Sequence, residues 1–229
     1  MQKRWRQFFA VSAICPDMKS NPSLSEEDKI WITAHAFIKT LLDLYREHGF
    51  QMTGLKTWDF MKWNALGSPM ISRQAIEKFM TEQLADGSLL TKGTSVQEFT
   101  SGQERRGRCF VAEHVYPTKA LQKLVFKRYA TFDPSLEEVR GLLERHNRIC
   151  YVWYEEDKRL TDANLRSSVP EASSNEAEDP LARYRADGVG IEPLETNLKD
   201  GHAIFRKLTT CREEGIGIAA TIKSLTEYT

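Results

Sequence analysis

Side chains of the types that read nucleic-acid bases stand together in one segment of the chain, residues 71–87. Arg73 and Gln74 occupy its start, and Ser72 and Lys78 complete its candidate DNA contacts. The forked arginine and the glutamine amide match the hydrogen-bonding edges of guanine and adenine. A polar face of this kind also suits any solvated helix, so the interpretation of these residues as DNA contacts depends on the elements around them.

A second set of candidate contacts is basic and follows along the chain. Arg105 and Arg106 lie between Gly102 and Gly107, and Arg108 directly follows Gly107. Lys119 and Lys123 belong to a later basic stretch. Cations of this kind contact backbone phosphates or enter the minor groove. For the two lysines, a phosphate-contacting flank and a solvated lysine surface both remain open.

The elements that position these side chains form a recognisable order. A short helix is predicted over 57–66, a turn follows at Gly67-Ser68-Pro69, and residues 71–87 form a second amphipathic helix. Residues 88–92 then indicate a strand that leaves the helix, and residues 108–112 indicate a returning strand. The polar residues between these two strands would form the tip of a basic hairpin.

In this order the region 26–115 resembles the winged helix-turn-helix superfamily of DNA-binding domains. Residues 75–90 (AIEKFMTEQLADGSLL) are similar to its recognition helix running into the first wing strand, and residues 102–107 (GQERRG) are similar to a wing tip. The resemblance implies double-stranded DNA as the partner, read by the second helix in the major groove. The expected fold class is mainly α with a small β-hairpin wing (α+β).

Outside that region the chain is predicted to form further helices and one ambiguous segment. Ser25 begins a helix that ends near Gly49, Pro117 begins another, and Ser135 with Glu138 has capping-box spacing. The aromatic run 149–154 is either a strand or a buried helix end. The predicted organisation is a basic arm or helix at 1–25, a winged-helix domain at 26–130, a helical extension at 131–165, an acidic flexible linker at 166–200 and an apolar segment at 201–229.

The last two of these segments differ sharply in composition. Residues 166–200 are acidic and contain few apolar side chains, so we expect a flexible linker that cannot offset its ordering entropy. Residues 201–229 contain short apolar runs. They either return to the core or dock on another protein, which is a different partner or a second copy of this chain.

Charge and cysteine usage narrow the class of protein. Residues 1–130 hold 19 Lys and Arg against 13 Asp and Glu, whereas residues 131–229 hold 13 against 19. A basic half that meets a polyanion explains this asymmetry, as does an uneven distribution over helix surfaces. The four cysteines form no close pair, and no apolar run is long enough to span a membrane. We therefore expect an intracellular protein, cytoplasmic or nuclear, without membrane association, metal or cofactor.

Catalysis finds little support in the sequence. Phosphate-loop, nucleophile-elbow and zinc-protease patterns are missing. The carboxylates Glu155, Glu156 and Asp157 could hold magnesium in a nuclease, but a solvated charge run is favoured. We therefore expect a DNA-binding protein that is not an enzyme, such as a transcription regulator or a replication or partition factor of a mobile element. The alternatives are a winged-helix interaction subunit of a nucleoprotein assembly and a nucleic-acid enzyme such as a nuclease.

Overall fold

The computed structural model describes residues 24–48, 66–100, 107–170 and 179–227, which contain helices and a small sheet. The described helices are α1 (Glu26–His48), α2 (Arg73–Thr81), α3 (Val96–Phe99), α4 (Thr118–Arg128), α5 (Leu136–His146), α6 (Tyr154–Asp162), α7 (Ala182–Arg185), α8 (Gly201–Glu213) and α9 (Ile218–Thr226). The described strands are β1 (Met70–Ser72), β2 (Phe110–His114), β3 (Ile149–Trp153) and β4 (Pro193–Glu195). The α+β class expected from the sequence is confirmed.

The chain divides into two compact units that do not follow the predicted domain boundaries. A helical unit comprises residues 1–56 and 122–143, and a sheet unit comprises residues 57–121 and 144–229. Two of the three boundaries between the units, at 121/122 and 143/144, fall inside helices, since α4 and α5 each contribute residues to both units. The division is therefore made by tertiary contacts rather than by linkers of distinct composition.

In the helical unit, α1 forms as its sequence predicts. The N–H of Asp28 donates to Ser25 Oγ at 3.1 Å, and the Asp28 carboxylate accepts from the N–H of Ser25 at 3.2 Å. Tyr45 stacks on Phe126 of α4 with ring centroids 4.6 Å apart. The buried side chains of α1 recur three or four residues apart: Trp31, Ala34, Phe37, Ile38, Leu41 and Leu42.

The sheet unit has one mixed sheet in the order β2-β3-β1-β4. β1 is parallel to β3, with Met70 opposite Cys150, and antiparallel to β4. Apolar side chains cover both faces of the sheet. One core includes Ile71, Ile76, Phe79, Phe110, Trp153, Phe205 and Leu208, and the other includes Met70, Cys150, Val152, Tyr184, Val189 and Ile191.

The predicted wing strands do not pair with each other within the described residues. β2 forms a five-residue antiparallel ladder with β3, from Phe110 opposite Trp153 to His114 opposite Ile149. Residues 88–92 make only an isolated bridge, from Leu89 to Gln83. The aromatic and β-branched run 149–154 therefore begins with a strand that supplies the partner for β2, and a local hairpin is replaced by a long-range pairing.

The predicted flexible linker at 166–200 is also corrected where the structure describes it. Residues 182–185 form α7 and residues 193–195 form β4, and Arg183 and Tyr184 are fully buried. A few apolar side chains suffice here because they join a core to which other segments supply most of the buried residues. Residues 171–178 lie outside the described part of the chain.

The C-terminal segment returns to the core of the sheet unit. Ile204, Phe205 and Leu208 of α8 and Leu225 of α9 are buried in the same core as α2. Arg212 of α8 donates to the carbonyl of Phe79 at 2.8 Å, near the end of α2. These apolar side chains are thus used within the chain, which is the first of the two alternatives that the sequence left open.

Candidate nucleic-acid interface

Ser72 lies inside the protein, where its side chain is not accessible to a ligand. Its side chain is completely buried, accepts the N–H of Ala75 at 3.0 Å as the cap of α2, and donates to the carboxylate of Glu156. A buried hydroxyl cannot contact DNA. The prediction that Ser72 is a DNA contact is therefore wrong, and the residue holds α2 to the start of α6.

The other three candidates on α2 are partly exposed and engaged by neighbouring groups. Arg73 Nε lies 2.7 Å from a Glu192 carboxylate oxygen, Gln74 accepts from Arg159 at 3.1 Å, and Lys78 Nζ lies 2.8 Å from a Glu82 oxygen.

The helix that carries them is packed on most sides. Ala75, Ile76 and Phe79 are buried, and Thr81 is the one exposed residue among the nine of α2. A helix that enters the major groove needs a free outer face. The structure uses α2 as a packed core helix, and base contacts by Arg73 or Gln74 would require these partners to separate.

The basic candidates outside α2 differ in where they lie in the structure. Arg105 and Arg106 lie outside the described residues. Lys119 and Lys123 are exposed on α4. Arg108 is exposed immediately before β2, and its guanidinium donates to the carbonyl of Gly93. Of the predicted contacts, Arg108 is the one that the structure brings into a concave site.

That site is an open cleft of about 1010 Å³ in the sheet unit. The loop before α3, strands β2 and β3, helix α6 and the first turn of α8 supply its walls. The lining includes the cations Lys92, Arg108, Lys158 and Arg166, the imidazole of His202, and one carboxylate, Asp157. Cations thus outnumber the carboxylate among the lining residues, and an excess of one sign of charge in a cleft attracts ligands of the opposite sign.

Two tyrosines line the same cleft, and the first is held in place from several sides. Tyr151 of β3 meets the ring of Phe205 edge to face at 5.3 Å, and Lys92 Nζ donates to its hydroxyl at 3.3 Å. The ring also lies against Gly201, where any added Cβ would overlap the tyrosine. Glycine at the start of α8 is therefore required for the observed position of the Tyr151 ring.

The second tyrosine begins α6. Tyr154 packs against Trp153 with ring centroids 4.9 Å apart and meets Phe99 edge to face at 6.4 Å. Lys158 follows four residues later and also lines the cleft. Residues four apart lie on one face of a helix. An aromatic ring and an ammonium group are therefore neighbours along this wall.

The three carboxylates at the start of α6 have separate roles. Glu155 is exposed, Asp157 lies 3.5 Å from Arg166 Nε in the cleft, and Glu156 is buried. Glu156 accepts from Ser72 and from the N–H of Trp153 at 2.8 Å. Burial raises the pKa of Glu156, against the lowering effect of these hydrogen bonds. The prediction of a solvated charge run thus holds for Glu155 alone.

A buried ion pair lies beside the cleft and positions one of its cations. Glu113 of β2 lies 3.3 Å from Arg183 Nη2 and 3.7 Å from Arg166 Nε. Burial raises the pKa of Glu113, and the Arg183 guanidinium limits the rise. Arg166 is thereby held between Glu113 and Asp157 at the edge of the cleft.

The composition of the cleft was only partly accessible from the sequence. Arg108 was identified as a candidate, whereas Lys92, Tyr151, Tyr154, Lys158, Arg166 and His202 were not. The aromatic run 149–154 was the available signal, but a strand had to be distinguished from a helix end before Tyr151 could be assigned to a face.

The described residues show neither a candidate metal cluster nor a membrane-spanning helix. They contain no group of three or more His, Cys, Asp or Glu side chains placed to hold a metal ion. None of their helices is both long and apolar enough to cross a membrane. Comparisons of the chain with protein-family models, with curated proteins and with solved structures give no match.

Proposed function

We propose that this protein binds nucleic acid, and that the cleft of the sheet unit is the binding surface. The observation that carries the proposal is the lining of the cleft, which combines four lysine and arginine side chains with two tyrosines and has one carboxylate. Basic groups neutralise phosphates, and aromatic rings stack with bases. Nucleic acid is the polyanion that offers both partners.

The ligand remains a nucleic acid, as expected from the sequence, but the surface that contacts it is the cleft and not α2. The enclosed position of α2 favours the cleft over a helix in the major groove, so Arg73 and Gln74 are not needed for recognition. The arginines of the predicted wing remain relevant. Arg105 and Arg106 immediately precede Gly107, which lines the cleft, so they extend its basic sequence. A winged-helix arrangement of this region remains a prediction.

Lys158 provides a test with a matched control. It lies 3.6 Å from Asp162 four residues later, as Lys223 lies 3.6 Å from Glu227, and both lysines are more than half exposed. Only Lys158 lines the cleft. Lys158→Gln and Lys223→Gln therefore remove the same charge and the same type of helix ion pair, one at the cleft and one on α9.

The measurement is binding of fluorescent oligonucleotides, single-stranded and duplex, over a salt series from about 50 to 200 mM. For a phosphate contact, Lys158→Gln should weaken binding about five- to tenfold near 0.1 M salt and reduce the salt slope by nearly one unit. Lys223→Gln should leave both values unchanged. Absence of salt-dependent binding, or equal effects of the two variants, would reject the cleft as a nucleic-acid site.

A further inference from the structure

The concave form of the cleft restricts which nucleic acid can use it. Proteins that read a duplex insert a convex element, a helix or a two-stranded ribbon, into a groove of the DNA. Here the protein supplies the concavity, so the ligand must supply the group that enters. In a duplex the bases are stacked and paired within the helix, and phosphates alone protrude. In a single strand the bases can turn outward.

The aromatic side chains are placed to receive such bases. Tyr151 and Tyr154 are half-buried and line the cleft from β3 and from the start of α6. The Tyr151 ring is fixed by Phe205, by Gly201 and by Lys92, whose Nζ lies over one face 4.8 Å from the ring centroid, so a base can stack only on the other face. A fixed ring loses little conformational entropy when a base stacks on it.

The basic groups lie beside these rings, which is the spacing that a nucleotide requires. Lys158 is one helical turn from Tyr154, and Lys92 contacts the hydroxyl of Tyr151. A base stacked on either ring would bring the phosphate of the same nucleotide near an ammonium group. Alternating aromatic and basic side chains are the usual means of holding a single strand.

We propose that the cleft binds a segment of single-stranded nucleic acid, with unpaired bases on Tyr151 and Tyr154 and backbone phosphates on Lys92, Arg108 and Lys158. The inference rests on the proposed function and makes it more specific, since it names an unpaired strand as the ligand. Stacking supplies the preference for a single strand, whereas the cations supply affinity for any polyanion.

The test uses the full chain and four probes of about 12 nucleotides, a length within the range of single-strand sites. They are single-stranded DNA, single-stranded RNA of the same sequence, the DNA as a duplex, and a DNA strand with abasic sites in place of its central bases. The abasic strand retains every phosphate and lacks the stacking partners. We expect the intact DNA or RNA strand to bind at least tenfold more tightly than the duplex and the abasic strand.

Variants of Tyr154 separate stacking from charge. Tyr154→Leu should weaken binding of the intact strand about five- to hundredfold, with an unchanged salt slope and an unchanged affinity for the abasic strand. Tyr154→Phe retains the ring and should bind like the wild type, which also shows whether the position tolerates substitution. Tyr45→Leu is the matched control, because Tyr45 is a half-buried tyrosine of the helical unit.

The outcomes distinguish the two proposals. Equal affinity for the duplex and the single strand, or for abasic and intact strands, would refute the single-strand inference while leaving nucleic-acid binding by the cleft in place. No salt-dependent binding of any probe would refute both. Equal losses in Tyr154→Leu and Tyr45→Leu would show that the tyrosine effect does not come from the cleft.

Discussion

Arg183 offers a strict test of the tertiary structure, because a fully buried guanidinium occurs in a segment whose composition predicts a flexible linker. Its side chain is 1% exposed. It donates to the carbonyls of Val115 at 3.2 Å and Leu165 at 3.0 Å, and to the carboxylate of Glu113 at 3.3 Å. One side chain therefore ties α7 to the end of β2 and to the chain that follows α6. Arg183→Met should remove all of these bonds while filling much of the same volume.

The expected cost follows from what remains after the substitution. Glu113 would keep Arg166 at 3.7 Å as its cation, and the carbonyls would lose a buried donor. Removing one member of a buried ion pair costs about 3–5 kcal/mol. Domain stabilities are about 5–15 kcal/mol, so this single change should remove roughly a fifth of the free energy of unfolding or more. In the double variant with Glu113→Gln, the changes should be non-additive by about 1–3 kcal/mol.

The assay is urea denaturation followed by tryptophan fluorescence and by far-ultraviolet circular dichroism. Arg185→Met is the matched control, since Arg185 lies two residues away on the same helix, is 63% exposed and pairs with Asp179 at 2.9 Å. An exposed pair of this kind contributes about 1 kcal/mol or less. The two variants therefore change the same residue type in the same element and differ in burial.

The cost of Arg183→Met in unfolding free energy should also depend on pH, in a direction that follows from Glu113. The folded-state pKa of Glu113 is raised above its ordinary value of 4.5, so the folded state binds this proton more tightly than the unfolded state does. Protonation of Glu113 therefore stabilises the fold below pH 4.5, and this contribution is lost as the pH rises through the folded-state pKa. Removing Arg183 raises this pKa further, because the guanidinium favours the charged carboxylate. The cost of Arg183→Met should consequently be larger at pH 8 than at pH 5. Equal costs for Arg183→Met and Arg185→Met, or no change with pH, would refute the assignment of a buried ion pair.

Three further predictions test other parts of the structure. Ser72→Ala should lower the free energy of unfolding by about 2–4 kcal/mol, because it removes a helix cap and a buried donor to Glu156; a neutral result in urea denaturation would contradict the buried role. Gly201→Ala should cost about 1–3 kcal/mol through overlap with the tyrosine ring that rests on it, whereas Gly141→Ala, which meets no atom within 4 Å, should stabilise its helix by about 0.5–1 kcal/mol. After cleavage at a protease site placed within residues 171–178, the two fragments should stay together in size-exclusion chromatography, because the chain beyond the cut supplies core residues on both faces of the sheet. Separation under native conditions would mean that this part of the chain is not integral to the core.

Local signals in the sequence predicted the helices well. Ser25 and Ser135 begin helices with the capping contacts that their spacing indicates, and the periodicity of α1 places its buried face correctly. These predictions succeed because a cap or a helical stripe depends on residues three or four apart. The same local signals identified α2 as an amphipathic helix, but they predicted it over 71–87 instead of Arg73–Thr81 and gave no information about how many of its sides are covered.

Polar residues were the main source of error. Ser72 was interpreted as a DNA contact and Glu156 as part of a solvated charge run, whereas the two are hydrogen-bonded to each other inside the core. Their side chains are 84 positions apart in the chain. A buried polar side chain has the same local sequence as an exposed one, and only its distant partner reveals the difference.

By itself, the sequence determined the α+β class, the start and amphipathic face of several helices, and the basic character of the region that contains Arg108. Tertiary structure alone decided that β2 pairs with β3, that residues 179–200 complete the core, and that a basic cleft forms. Strand partners and cleft walls come from segments dozens of residues apart, as when Gly201 supports Tyr151. Their proximity is decided by which long-range packing offsets the entropy of ordering the chain, and that balance is not expressed in any local pattern.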